Sequence, residues 1–132
     1  MKFQLMKKIC LILLLILTVG GIAWAAGKPA IKFSTKSHDF GTIHAKDGKV
    51  TAIYDFTNTG DAPLTIVTVT NGGCGCTNPS FPMEPIAPGK SGEIKITFDP
   101  RGRSGEFNRT VKVKTNAGKS REKLTFSGVI IP

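Results

Sequence analysis

The sequence predicts an all-β, immunoglobulin-like two-sheet sandwich of about seven strands. Three observations carry this. Apolar residues recur with a period of two, turn residues interrupt the runs at short intervals, and no window beyond the N-terminal segment shows a helical apolar stripe.

The N-terminal segment stands apart from that pattern. Residues 1–8 carry Lys2, Lys7 and Lys8 and no acid, residues 9–17 are unbroken apolar chain, and small residues with Trp24 extend it to Ala25. Ala23-Trp24-Ala25 supplies the small-x-small pattern that a signal peptidase reads, so residues 1–25 are expected to be an export signal cut before Ala26. The alternative is an uncleaved anchor, but residues 9–25 fall short of the roughly 20 apolar residues of a membrane span. Cys10 precedes the apolar core, which excludes a lipoprotein cysteine, and it leaves with the signal together with the only tryptophan, Trp24. No stable membrane insertion is expected of what remains.

Residues 26–132 suit a single domain. Losing Lys2, Lys7 and Lys8 lowers the formal charge from +9 to +6, and the remaining cations are dispersed. Such a balance fits weak attraction to anionic envelope polymers or lipid headgroups, or an ordinary solvated surface, rather than nucleic-acid binding.

The strand signals then follow in order. Val50, Ala52, Tyr54 and Phe56 alternate with Thr51, Ile53, Asp55 and Thr57. Ile94, Ile96 and Phe98 alternate with Glu93, Lys95 and Thr97, and Phe107, Val111 and Val113 with Asn108, Thr110, Lys112 and Lys114. Leu124, Phe126 and Ile130 share one face of the last run. Neighbouring strand side chains point to opposite faces, so each run buries one face and wets the other. Turn chemistry separates the runs at Lys46-Asp47-Gly48, Asn58-Thr59-Gly60-Asp61, Asn71-Gly72-Gly73, Pro88-Gly89-Lys90, Pro100-Arg101-Gly102 and Asn116-Ala117-Gly118. The Pro-rich stretch, residues 79–88, is expected to be an extended loop crossing between sheets. Phe40 is expected to plug the core where the first strand changes sheets.

Several blocks occur in a telling order: Asp39-Phe40-Gly41-Thr42-Ile43, the Asn58-Thr59-Gly60-Asp61 turn with Ala62-Pro63-Leu64, Cys74-Gly75-Cys76-Thr77, and Pro85-Ile86-Ala87-Pro88-Gly89-Lys90. The chain thereby resembles the exported bacterial family called domain of unknown function 1573, common in Bacteroidetes-type envelopes. It is also similar to the Ig-like domains of ciliary, centrosomal and sperm-protein arrays. The resemblance implies a sandwich fold and an envelope location in the periplasm or outside the cell. It implies no activity, since a fold alone does not supply one.

Cys74 and Cys76 are the only cysteines left after signal removal. A disulfide needs Cα atoms about 4.4 to 6.8 Å apart. Two residues of extended strand span roughly 6.6 Å, at that limit unless Gly75 bends the chain. Closing so short a loop stabilises by only about 1.6 kcal/mol, which makes a poor staple. Three readings stay open: an oxidised or structural pair, a soft-metal site for an ion such as copper, and a redox pair. His38, His44 and Met83 are the remaining nitrogen or sulfur ligand candidates. The histidines have no nucleophile at a catalytic spacing, and the nine acids are scattered through turns and polar faces. The expectation is therefore a non-enzymatic module without a cofactor, partnered by an envelope protein or polymer.

Overall fold

Alternating burial sorts the strands into two layers. The computed structural model describes residues 27–132, so the expected export signal and its cleavage site lie outside the described residues. The strands are β1 (Ile31–Phe33), β2 (Ser37–His44), β3 (Val50–Asn58), β4 (Ile66–Val69), β5 (Thr77–Ser80), β6 (Ser91–Phe98), β7 (Gly105–Thr115) and β8 (Glu122–Ile131). They form two four-stranded sheets, ordered β1-β3-β6-β5 and β2-β8-β7-β4. All neighbours pair antiparallel except β2 and β8, which run parallel. Among the described residues no helix is long and apolar enough to cross a membrane.

The period-two faces meet between the sheets. Ala52, Tyr54 and Phe56 of β3 and Ile94, Ile96 and Phe98 of β6 are buried against Val111 and Val113 of β7 and Leu124, Phe126 and Ile130 of β8. Phe98 stacks on Phe107 with ring centroids 4.8 Å apart, and Phe126 lies 5.5 Å from Phe98. Tyr54 Oη donates to the Thr125 carbonyl at 2.6 Å and so ties one sheet to the other. Burial pushes its phenol up to about 12, because the charged form would lose its water.

Two expectations are corrected. The sandwich itself is as expected, the about seven strands being eight because residues 77–80 pair with β6 despite Pro79. That strand is an edge, where a missing N–H on the solvent side is tolerated. Residues 79–88 therefore do not cross between sheets. They open in β5 and return to β6 of the same sheet, pinned midway by the Leu64–Ile86 bridge, while residues 70–76 make the crossing from β4 to β5. At the first crossing the buried aromatic is Phe33 of β1. Phe40 is only partly buried, packed edge-on to Phe126 at 6.0 Å.

The Asn58 corner shows how a turn becomes part of the core. Asn58 is fully buried at the end of β3. Its Nδ2 donates to the carbonyls of Ala62 at 2.8 Å and Ile86 at 2.9 Å. Its Oδ1 accepts from the N–H groups of Gly60 at 3.0 Å and Ala30 at 3.4 Å. One amide thus serves three stretches of backbone. Gly60 is required by close approach, since a Cβ there would lie 2.6 Å from the Ala30 nitrogen.

Candidate functional site

The crossover from β4 to β5 is built from two successive turns. Cys74 N–H donates to the Asn71 carbonyl at 3.3 Å, and Thr77 N–H donates to the Cys74 carbonyl at 3.2 Å. Gly72 and Gly73 carry the positive φ angles of the first turn, 67° and 79°. A Cβ on Gly72 would also press to 2.9 Å on the Thr110 carbonyl. The sequence places this demand at the wrong glycine. Gly75 is outside the positive-φ set and has open space where a Cβ would sit, so the bend at the cysteines does not depend on it.

That second turn draws the cysteine Cα atoms to 5.2 Å, and Cys74 and Cys76 form a disulfide. They lie in a turn rather than along an extended strand, which is why the separation falls well inside the bridging range. The two sulfurs have different surroundings. Cys74 Sγ accepts from the Cys76 N–H at 3.2 Å and from Arg103 Nη2 at 3.2 Å. Cys76 is half-buried against the core, its Sγ 3.7 Å from Thr77 Oγ1.

The loop between β6 and β7 supplies Arg103. Asp99 N–H donates to the Cys76 carbonyl at 2.8 Å, so this loop is hydrogen-bonded directly to the cysteine turn. Asp99 Oδ1 accepts from the Arg101 N–H at 3.1 Å, and Asp99 Oδ2 pairs with Arg101 Nη2 at 2.8 Å. Arg103 N–H closes the turn on the Pro100 carbonyl at 3.1 Å around Gly102, whose φ is 75°. Hydrogen bonding from Arg101 pulls the Asp99 carboxyl down to about 2, and the same bond raises Arg101. The braced turn leaves Arg101 on Asp99 and Arg103 on sulfur. Beside it, Lys49, Gly75, Cys76, Asn78, Thr97 and Asp99 line a small cavity of about 100 Å³.

The other sequence candidates do not join this site. His38 and His44 are on β2, at the opposite edge of its sheet from β4, and His38 packs edge-on to Phe40 at 4.5 Å. Met83 is 82% exposed in the β5–β6 connection. Among the described residues no group of three or more His, Cys, Asp or Glu converges as a metal site. Arg103 is the residue that sequence reasoning missed. Its only signal was the Pro100-Arg101-Gly102 turn, and that 29-residue separation from Cys74 carries no local pattern.

Fold and site together define a two-sheet β-sandwich whose crossover is closed by a disulfide. The chain belongs to the family described as "Protein of unknown function (DUF1573)", which it matches over residues 31–130. Among curated proteins none matches it. A crystal structure of a protein of unknown function from Porphyromonas gingivalis W83 is similar, with TM-score 0.67 and 18% identity over 80% of this chain and 48% of that one. The Vibrio cholerae VesB protease is similar at TM-score 0.57 and 14% identity, over 77% of this chain and 32% of the protease. A family 123 glycoside hydrolase from Clostridium perfringens follows at 0.53 and 10%, over 79% and 27%. This chain spans about half of the first protein and a third or less of the other two, and at these identities the likeness is one of fold.

Proposed function

We propose that this chain is an exported, non-enzymatic, immunoglobulin-like binding module of the bacterial cell envelope, acting without a cofactor. The export-signal pattern of residues 1–25 and the family membership support the location. One observation supports the binding mode. Of the four edge strands, β1 and β4 are three and four residues long and β5 carries Pro79, whereas β2 runs for eight residues. A bulge divides β2 between Asp39 and Thr42, and residues 42–44 continue in register with Val129, Ile130 and Ile131 of β8. Val129 and Ile131 are 38% and 41% exposed there. A free strand edge beside exposed apolar side chains suits an added strand from a partner protein, with backbone groups giving affinity and side chains selectivity.

A photo-cross-linker at Thr42 tests this. In a native envelope fraction it should capture a discrete partner, lost when Val129→Glu and Ile131→Glu are added, while the same group at Ile53 on the other sheet captures nothing comparable. Equal capture from Thr42 and Ile53, or capture indifferent to the two glutamates, overturns the reading.

A further inference from the structure

We propose that the Cys74–Cys76 disulfide is a directional thiol–disulfide exchange site, with Cys76 the sulfur attacked and Cys74 the sulfur released. The substrate class is a peptide or protein dithiol. This goes beyond the binding role and stands or falls independently of the β2 edge.

The asymmetry of the pair carries the inference. A sulfur leaves a disulfide faster when its thiolate is better stabilised. Cys74 Sγ already faces the two donors a thiolate needs, the Arg103 guanidinium and the Cys76 N–H, each at 3.2 Å. Cationic and N–H donors lower a thiol's pKa. Among the described residues Cys76 Sγ has a hydroxyl, that of Thr77, and no cation as its hydrogen-bond partner. It also lines the small cavity that holds Lys49, a cation able to attract an incoming thiolate.

The pair is also cheap to open. Two residues of separation close a minimal loop, so breaking it returns little chain entropy, and the turn keeps its own backbone hydrogen bonds.

The chemistry balances as follows. A substrate thiolate attacks Cys76 Sγ, the Cys74–Cys76 bond breaks, and its electron pair stays on Cys74 as a thiolate held by Arg103. The substrate is now bonded to Cys76. Its second thiol, deprotonated, attacks its own first sulfur, and Cys76 departs and takes a proton from water. The substrate dithiol has become a disulfide by losing two electrons, and the protein pair has gained them. The oxidised pair is itself the oxidant for this single turnover.

The test uses the oxidised, full-length mature protein with reduced glutathione as the probe, the thiol released being trapped by alkylation and mapped by mass spectrometry. The alkyl group should sit on Cys74 and glutathione on Cys76. Arg103→Ala should slow opening roughly threefold for each unit by which the Cys74 pKa rises, Arg103→Lys should restore part of the rate, and Lys114→Ala on the outer face of β7 should leave it within about twofold. In Cys76→Ser the lone Cys74 should alkylate with a pKa below the free-thiol value of about 8.5, rising when Arg103→Ala is added. Alkylation mapped to Cys76, a rate indifferent to Arg103→Ala, or a pair that glutathione does not open would each overturn the proposal.

Discussion

Two turns within the matched residues 31–130 are built on opposite plans. At the Asn58 corner one fully buried amide holds four hydrogen bonds to three backbone stretches, and a side chain at Gly60 would collide with backbone. At the Cys74 crossover the chain turns through local bonds, Gly75 is open to solvent, and the long-range side-chain contact to Cys74 Sγ comes from an exposed arginine. In the first turn both polar atoms of the Asn58 side chain hold the corner of the sandwich shut. The second is hydrogen-bonded to the sandwich through the Cys76 carbonyl, and its disulfide closes only a three-residue loop. A turn held by one buried side chain and a turn held by its own backbone bonds thus differ less in residue type than in whether the backbone around them needs the side chain.

The core sets the scale against which this contrast is measured. Phe98→Ala or Phe126→Ala should cost about 3 to 5 kcal/mol in urea unfolding, since each ring is buried within the aromatic cluster between the sheets. Asn58→Ala should come next, at roughly 2 to 4 kcal/mol, because it orphans carbonyls and N–H groups in a buried corner. A loss below 1 kcal/mol there would mean water replaces the amide, and the contrast would collapse.

Tyr54→Phe should cost about 1 kcal/mol by removing one bond between the sheets. The same phenol gives a pH test. Its folded pKa is raised from 10.0 to about 12, so the stability it contributes is complete below pH 10 and is lost as pH climbs from 10 towards 12. Tyr54 is the only tyrosine, so an absorbance titration reads this site alone. A midpoint near 10 in the folded protein would show the ring to be wetted. Smallest of all, Lys112→Ala or Lys114→Ala on the outer face should stay within roughly 0.5 kcal/mol.

The architecture was legible because burial follows a period of two so closely along β3, β6, β7 and β8. Residues 77–80 were not, since Pro79 argues against a strand until the chain is known to place it on an edge. Which connection crosses between sheets was also hidden. Proline content marks a stretch as extended, but the choice of sheet is set by distant pairings such as Thr77 with Phe98. At the candidate site the cysteine spacing was visible and a bend was named as the condition for easy bridging, though placed at Gly75, whereas the whole turn supplies it. Arg103 stayed invisible because the contact is made across two loops that only the fold brings together.

The comparison is tested most directly by measuring urea unfolding of Asn58→Ala beside the double variant Cys74→Ser, Cys76→Ser. The double variant should lose at most about 2 kcal/mol, the scale of a three-residue loop, and less than Asn58→Ala does. A loss in the double variant equal to or greater than that of Asn58→Ala would contradict the account, for the disulfide would then be a staple of the fold.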